Sequence, residues 1–330
     1  MTDRRRVVGS IAAGFLAIPL AARAQKPAKI PRIGYFSGTG SATDQGPYVD
    51  ALRLGLRDLG QIEGRNFTIE YRGAEGRLDR APSIINELVQ LKVDLIVVSV
   101  VTAIRAAKQA TKTIPIVMVT GLDPVANGMV DSLARPGGNI TGIATLTQDL
   151  NAKRLELLKE AVPRLSRVAV LWTPDDSFVT VNFKEYEAAA RALKVELQSL
   201  QVRVEDPDVD EAFQTAAHAR ADALITITTA TLFLRQKRIA DLAVKNRLPT
   251  MFPGSAWVES GGLMSYSTND LEAFRRAAAY VDKILKGVKP ADLPVEQLAK
   301  FELAINLKTA KAIGVTIPQS LLLRADKVVQ

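Results

Sequence analysis

The side chains able to do chemistry gather in short segments that follow apolar runs. In the first half these are Ser37-Gly38-Thr39-Gly40-Ser41, then Ser99, Val100, Val101 and Thr102, then Thr120-Gly121-Leu122-Asp123-Pro124. In the second half they are Trp172-Thr173-Pro174-Asp175-Asp176-Ser177, then Thr228 and Thr229, then Phe252-Pro253-Gly254, with Trp257 and Tyr266 nearby. Small hydroxyls, glycines and both tryptophans of the chain suit a pocket that holds a small polar or amphipathic molecule by hydrogen bonds against an aromatic wall. Ser and Thr also cap helices, so each hydroxyl has a structural reading beside the binding one. Asp123-Pro124 reads either as a helix N-cap or as an acceptor for a ligand ammonium or hydroxyl. Trp172 and Trp257 read either as core or as ligand wall.

Catalytic chemistry finds no set of groups here. The 330 residues hold no cysteine and one histidine. That excludes thiol nucleophiles, disulfides, Cys-ligated metals and multi-His metal centres. His218 ends a helical stretch, where its charge suits the helix C-terminus. Glu205 and Asp206 fall in a turn and read as solvated, so no acid–base pair is assigned. Gly38-x-Gly40 lacks the third glycine of a dinucleotide fingerprint, and there is no phosphate-loop motif, so no cofactor is expected.

The elements that position these segments alternate. Arg32–Phe36 reads as a strand, 47–59 as a helix with Pro at its first turn, 67–71 as a strand and 79–91 as a helix. Val93–Val98 and Ile114–Val119 are continuous apolar runs, the pattern of strands buried on both faces. A helix over 124–133 and a strand over 140–145 complete the first half. The order then restarts: strands at 167–172, 195–202, 223–228, 250–252 and 262–266 alternate with helices, including 182–193, 209–219, 232–246 and 271–285. Alternating βα units require parallel sheets with helices on both faces. Two such series predict two α/β lobes. A ligand in such a fold sits beyond the carboxyl ends of the strands, where the hydroxyl-rich segments fall.

The formal net charge of +8 is partly local. Arg4-Arg5-Arg6, an apolar run from Val7 to Ala22, and Ala22-Arg23-Ala24 before Gln25 form the pattern of a secretory signal, residues 1–24. The run is too short and too interrupted for the ~20 residues a membrane-spanning helix needs. The arginines leave the general secretory and twin-arginine routes both open. Cleavage after Ala24 removes four arginines and one aspartate, taking +8 to +5 over 306 residues. The remaining charges are mixed along helix faces, so no nucleic-acid partner is expected. Without cysteine there is no lipid anchor, and the expectation is an untethered monomer in a periplasm.

The same segments resemble a known family over nearly the whole chain after the signal. They include Gly55-Leu56-Arg57-Asp58-Leu59-Gly60 through Glu63-Gly64-Arg65-Asn66, Asp123-Pro124, Leu133-Ala134-Arg135-Pro136-Gly137-Gly138-Asn139-Ile140-Thr141-Gly142, Gly261-Gly262-Leu263-Met264-Ser265-Tyr266, and Tyr280-Val281-Asp282-Lys283-Ile284-Leu285-Lys286-Gly287. Together these resemble the substrate-binding proteins of ABC transporters in the tryptophan/tyrosine-binding group.

The resemblance implies a type I periplasmic-binding-protein fold: two Rossmann-like α/β lobes with parallel sheets, joined by a hinge and closing on a ligand. Lobe one would be 30–143 with 268–300, and lobe two 144–267 with 301–330. The hinge crossings would fall at Pro136–Gly142, Gly262–Ser267 and Phe301–Asn306. The implied partners are a small solute (amino-acid-like, aromatic or other) and an inner-membrane ABC permease. The expected ligand-binding residues are Ser37, Gly38, Ser99, Val100, Thr102, Thr120 and Asp123 in lobe one, with Trp172, Thr173, Asp176, Ser177, Thr228, Phe252, Trp257 and Tyr266 in lobe two. A ligand carboxylate would meet the helix start near Asp176 and Ser177. Thr173-Pro174-Asp175-Asp176 departs from the family's Asn-Pro type, and two extra acids there would repel an anion. That admits a cationic, polyhydroxylated or neutral aromatic ligand. The alternatives are an exported α/β hydrolase, which would need His218 as its base, and a sensory protein of the same fold serving a receptor.

Overall fold

The computed structural model describes residues 29–145, 150–174, 177–203, 208–227 and 229–330, with only the backbone of 177 and 178. The first series is β1 (Arg32–Ser37), α1 (Pro47–Asp58), β2 (Thr68–Gly73), α2 (Ala81–Gln90), β3 (Leu95–Val98), α3 (Val101–Ala110), β4 (Ile116–Thr120) and β5 (Ile140–Ala144). The second is α4 (Asn151–Ala161), β6 (Arg167–Trp172), α5 (Ser177–Leu193), β7 (Glu196–Gln201), α6 (Val209–His218), β8 (Ala223–Thr226), α7 (Ala230–Phe233), α8 (Gln236–Lys245), β9 (Thr250–Phe252), α9 (Ser255–Glu259) and β10 (Met264–Thr268). The chain returns through α10 (Asp270–Leu285), β11 (Glu296–Gln297), β12 (Phe301–Asn306), α11 (Leu307–Ile313), α12 (Gln319–Leu322) and β13 (Lys327–Val329).

Two sheets result. One has the order β11-β5-β4-β3-β1-β2, the other β13-β12-β10-β9-β8-β6-β7. Among the described residues the pairings between these strands are parallel except β10 with β12. β3 shows why: Leu95, Ile96, Val97 and Val98 are all buried, two facing each helical layer. Each such side chain contributes about 1.5–3 kcal/mol on burial, enough to hold a central strand that has no polar edge.

Helix α10 follows a strand of the second sheet but packs on the first. Gly55 of α1 makes this possible. A β-carbon there would lie 2.4 Å from the Arg275 carbonyl oxygen and 2.7 Å from Cβ of Ala278, so the two helices meet backbone to backbone. Arg275 with Asp58 (2.8 Å) and Gln61 Nε2 donating to Asp282 (2.8 Å) flank the contact.

Three differences from the sequence reading have local causes. Residues 124–133 form turns instead of a helix. Asp123 Oδ1 accepts from the backbone N–H groups of Val125 and Ala126, and Gly128 takes φ 62°, which stops helical growth. The expected helix over 232–246 is two helices, α7 and α8. The expected crossings are strands or run into them: Pro136–Gly142 leads into β5, whose residues pair in register with β4 (Ile116 with Ile140), and the passages lie just after β5, after β10 and before β12.

Candidate functional site

A cavity of about 680 Å³ lies between the two sheets, at the carboxyl ends of their parallel strands. From the first sheet it is lined by Ser37 and Gly38 after β1, Ser99, Val100 and Thr102 around the start of α3, and Thr120 at the end of β4. These follow strands because a parallel sheet leaves only that edge open to a ligand. Ser37 Oγ accepts from the N–H of Gly40 (2.9 Å), and Thr120 Oγ1 from the N–H of Leu122 (3.2 Å), so both hydroxyls fix the loops they begin.

The second sheet supplies Thr173 after β6, Thr226 at the end of β8, and Thr229. Thr173 Oγ1 and Thr229 Oγ1 share a hydrogen bond at 3.2 Å, and Thr229 caps α7 by accepting from the N–H of Leu232. The helix starts bring the strongest polar groups. Asn151 and Arg154 sit one turn apart on α4 and both line the cavity. Arg154 is 2% exposed; its Nη1 donates to Asn151 Oδ1 (2.9 Å) and its Nε to the Tyr266 carbonyl (2.8 Å). Asn151 Nδ2 donates in turn to Asn182 and Glu185 of α5, each at 2.7 Å. This network fixes a buried cation at the cavity floor, where an unheld one would be costly.

Aromatic rings form the rest of the wall. Tyr35, Tyr48 and Phe274 come from the first lobe, Phe233 and Trp257 from the second. Phe274 stacks on Tyr48 at 5.0 Å between centroids, Tyr48 faces Phe233 at 6.3 Å, and Phe233 meets Trp257 edge-on at 6.3 Å. Asp270, the first residue of α10, also lines the cavity. Burial pushes its carboxyl up to about 6, with the Arg154 charge opposing. Burial, then the Asp270 charge, holds the Tyr48 hydroxyl well above the usual tyrosine value.

Of the residues expected at the site, Ser37, Gly38, Ser99, Val100, Thr102, Thr120, Thr173 and Trp257 line this cavity. Four lie elsewhere. Asp123 binds its own turn. Trp172 stacks on Phe183 at 4.8 Å and donates Nε1–H to Ser199 Oγ (2.9 Å) in the core. Phe252 is fully buried, stacked behind Trp257 at 4.7 Å. Tyr266 rests its ring on Phe301 and meets the site through its carbonyl. Asp176, Thr228 and the side chain of Ser177 lie outside the described residues, as do residues 1–24. His218 is outside the lining, at the end of α6, its Nδ1 2.8 Å from the Gln214 carbonyl. Sequence reasoning missed Tyr35, Tyr48, Asn151, Arg154, Asn182, Phe233, Asp270 and Phe274. For Asp270 the signal was present: it lies two residues after the end of β10, in the same kind of strand-to-helix passage as the other lining residues.

Comparison with known proteins agrees with this architecture. Residues 45–329 match the family model described as ABC transporter substrate binding protein. A tyrosine-binding protein of Clostridioides difficile is 27% identical over 272 residues, covering 81% of this chain and 77% of the relative. Among solved structures, a conserved domain protein of Vibrio cholerae superposes with a TM-score of 0.80 at 26% identity, covering 91% of this chain and all of that one. A Streptococcus pneumoniae ABC domain in complex with L-Trp gives 0.77 at 24% identity, covering 91% and 99%. The fold is the type I periplasmic-binding-protein fold, as the resemblance implied. With its match running over most of its length, the chain belongs to the family of ABC transporter substrate-binding proteins.

Proposed function

We propose that this chain captures one small organic solute between its lobes and hands it to an inner-membrane ABC permease without altering it. The observation that carries this reading is the cavity itself: hydroxyls, a fixed Arg154 and aromatic rings converge from both lobes on one space. A ligand there contacts both lobes only when they are together, so it favours the closed form by its differential affinity. Arg154, with Asn151 and Asn182 around it, is the group best placed to attract a solute carboxylate. The tyrosine-binding relative and the L-Trp complex support an aromatic, amino-acid-like solute. The absence of an imidazole from the lining favours binding over hydrolysis among the described residues.

The export signal at 1–24, a periplasmic site of action and a monomeric, unanchored state belong to the same proposal. So does the division into 30–143 with 268–300 and 144–267 with 301–330. It is supported by the sheets, whose strand ends at 144, 268 and 301 lie within one residue of those limits.

The test is titration of the protein with a panel of amino acids, amines and small carboxylates, followed by intrinsic fluorescence and calorimetry. One-to-one binding by a panel member is expected. A protein whose fluorescence and unfolding temperature ignore the whole panel overturns the proposal.

A further inference from the structure

Cations that lie far apart along the chain are gathered at one edge of the second sheet. Three of the helices covering it end the same way. Lys194 (φ 54°) follows α5, Arg220 (φ 55°) closely follows α6 and Arg247 (φ 52°) closely follows α8, each in the left-handed region. That region is sterically easy for glycine, the ordinary residue at such a turn. The turns are closed by backbone: the N–H groups of Val195, Ala221 and Leu248 donate to the carbonyls of Ala190, Ala216 and Ala243. A cation after a helix ordinarily serves the helix dipole, but the last turns already carry Arg191, His218 and Lys245. A long cation is thus kept three times where the backbone favours glycine and where cap and dipole are already served.

The strand order β9-β8-β6-β7 sets these residues side by side. Arg247 leads into β9, Arg220 into β8, Arg164 into β6 and Lys194 into β7. At about 4.8 Å between neighbouring strands the row spans roughly 15 Å. All four residues are exposed, and among the described residues none of their side chains makes a hydrogen bond or an ion pair. The carboxylates Asp222 and Glu196 at this edge are engaged. Asp222 accepts from the N–H groups of Ser166 and Arg167, and Glu196 pairs with Arg167 at 2.8 Å. The first lobe repeats the turn with Lys92 (φ 54°) before β3, but there Asp94 takes Lys29 at 2.8 Å.

The row lies at the amino ends of the strands, and the cleft at their carboxyl ends. The six residues of β6 separate the two by roughly 20 Å at ~3.3 Å per residue. None of the four cations lines the cavity, and among the described residues none lies over an aromatic ring. The row is therefore no part of the solute site, and it lacks the stacking platform of a single-stranded nucleic-acid site. Uncompensated cations fixed along one edge suit a surface of anionic headgroups, which attracts Lys and Arg without needing a pocket.

We infer that this edge of the second lobe is a docking surface for an anionic lipid bilayer, holding the protein reversibly at a membrane with its cleft free. Such attachment is separate from solute capture, because it uses the opposite edge of the sheet.

The test is sedimentation of the full-length protein with two kinds of vesicle, phosphatidylcholine alone and phosphatidylcholine with an equal share of phosphatidylglycerol. Wild type is compared with Lys194→Gly/Arg220→Gly/Arg247→Gly. Glycine suits each of these φ values, so the variant keeps its turns, and its unfolding temperature checks this. Both proteins share the same N-terminus, so Arg4, Arg5 and Arg6 contribute equally to each. Wild type is expected to prefer the phosphatidylglycerol vesicles and to lose that preference in about 0.5 M salt. The substitutions should weaken binding to the anionic vesicles about fivefold for each charge and about a hundredfold together. Solute binding should be unchanged. A variant that sediments with anionic vesicles as wild type does overturns the docking surface, as does equal binding of wild type to both kinds of vesicle. Binding of soluble polyphosphate without binding of vesicles overturns it in favour of a polymeric partner. Each of these results leaves solute capture standing, which its own titration decides.

Discussion

Tyr48 of α1 and Phe233 of α7 face each other across the mouth of the cleft, ring centroids 6.3 Å apart. They join two aromatic groups, Tyr71–Tyr35–Phe274 in the first lobe and Trp257–Phe252 in the second. Beside them α7 comes close to the β1 loop: a β-carbon on Gly38 would lie 3.8 Å from that of Ala230, and one on Gly76 would lie 2.9 Å from Leu234 Cδ1. The two lobes therefore touch through contacts of their own.

Phe233→Ala removes the ring that bridges the lobes. An aromatic pair is worth about 0.5–1.5 kcal/mol beyond its buried area, so the open form should gain about two- to tenfold in population. Small-angle scattering of the ligand-free variant should give a larger radius of gyration than wild type. An unchanged radius would show that the pair does not hold the cleft.

The pH dependence follows from Asp270. Its folded midpoint, about 6, lies above the unfolded value near 3.8. A raised carboxyl contributes stability that is fully present below the unfolded value and is lost as pH rises through the folded one. The groups facing it are the Tyr48 hydroxyl, which burial keeps neutral, and the Arg154 guanidinium. Asp270→Asn should match wild type near pH 3.5 and exceed it at pH 7.5 by at most about 3 kcal/mol. Thermal unfolding across this range checks the crossover.

Arg154→Met should move that crossover upward, because Arg154 is the group that lowers the Asp270 midpoint. It should also destabilise the protein by about 1–3 kcal/mol by leaving the Tyr266 carbonyl and Asn151 without their donor. The pH at which the Asp270→Asn advantage appears is the diagnostic readout, since general destabilisation would not shift it.

Gly55→Ala places a methyl group against the Arg275 carbonyl, forcing α1 and α10 apart. Overpacking of this kind costs about 1–3 kcal/mol. Urea unfolding should show a lower midpoint with an unchanged slope.

The two tryptophans should separate cleanly. Trp257 lines the cavity, whereas Trp172 is in the core of the second lobe. Trp257→Phe should abolish the fluorescence response to a bound solute, and Trp172→Phe should retain it.

The lobes and the strand-end loops were legible because β3 is a short, wholly apolar run followed by Ser99, and β4 and β8 are apolar up to a closing threonine. Trp172 misled because it was placed by position along the chain rather than by alternation. It shares a face with Val168 and Val170 in the core, which leaves the next residue, Thr173, to reach the cleft. Asp270 was overlooked because the strand over 262–266 was also read as a hinge crossing, so the residues after it were not counted among the strand-end loops, although β10 opens on the same cavity. Arg154 sits on a helix with charges on several sides, and only the fold reveals that this one points inward. Tyr48 and Phe233 belong to helices that no loop rule selects; their importance arises from two lobes meeting.

Disulfide trapping tests solute capture by closure most directly, and the lack of native cysteine makes it clean. The 3.8 Å spacing of Gly38 and Ala230 β-carbons matches the roughly 3.8 Å mean of disulfides, provided the Val100 Cγ2 methyl, 2.8 Å from the Gly38 β-carbon, turns aside. The Gly38→Cys/Ala230→Cys protein, oxidised as isolated, would be dialysed extensively and weighed by native mass spectrometry before and after reduction. The account predicts that the bridged protein keeps a bound small molecule and loses it on reduction and further dialysis. A bridged protein that has the mass of the bare polypeptide, the same as its reduced form apart from the two hydrogens, would contradict it.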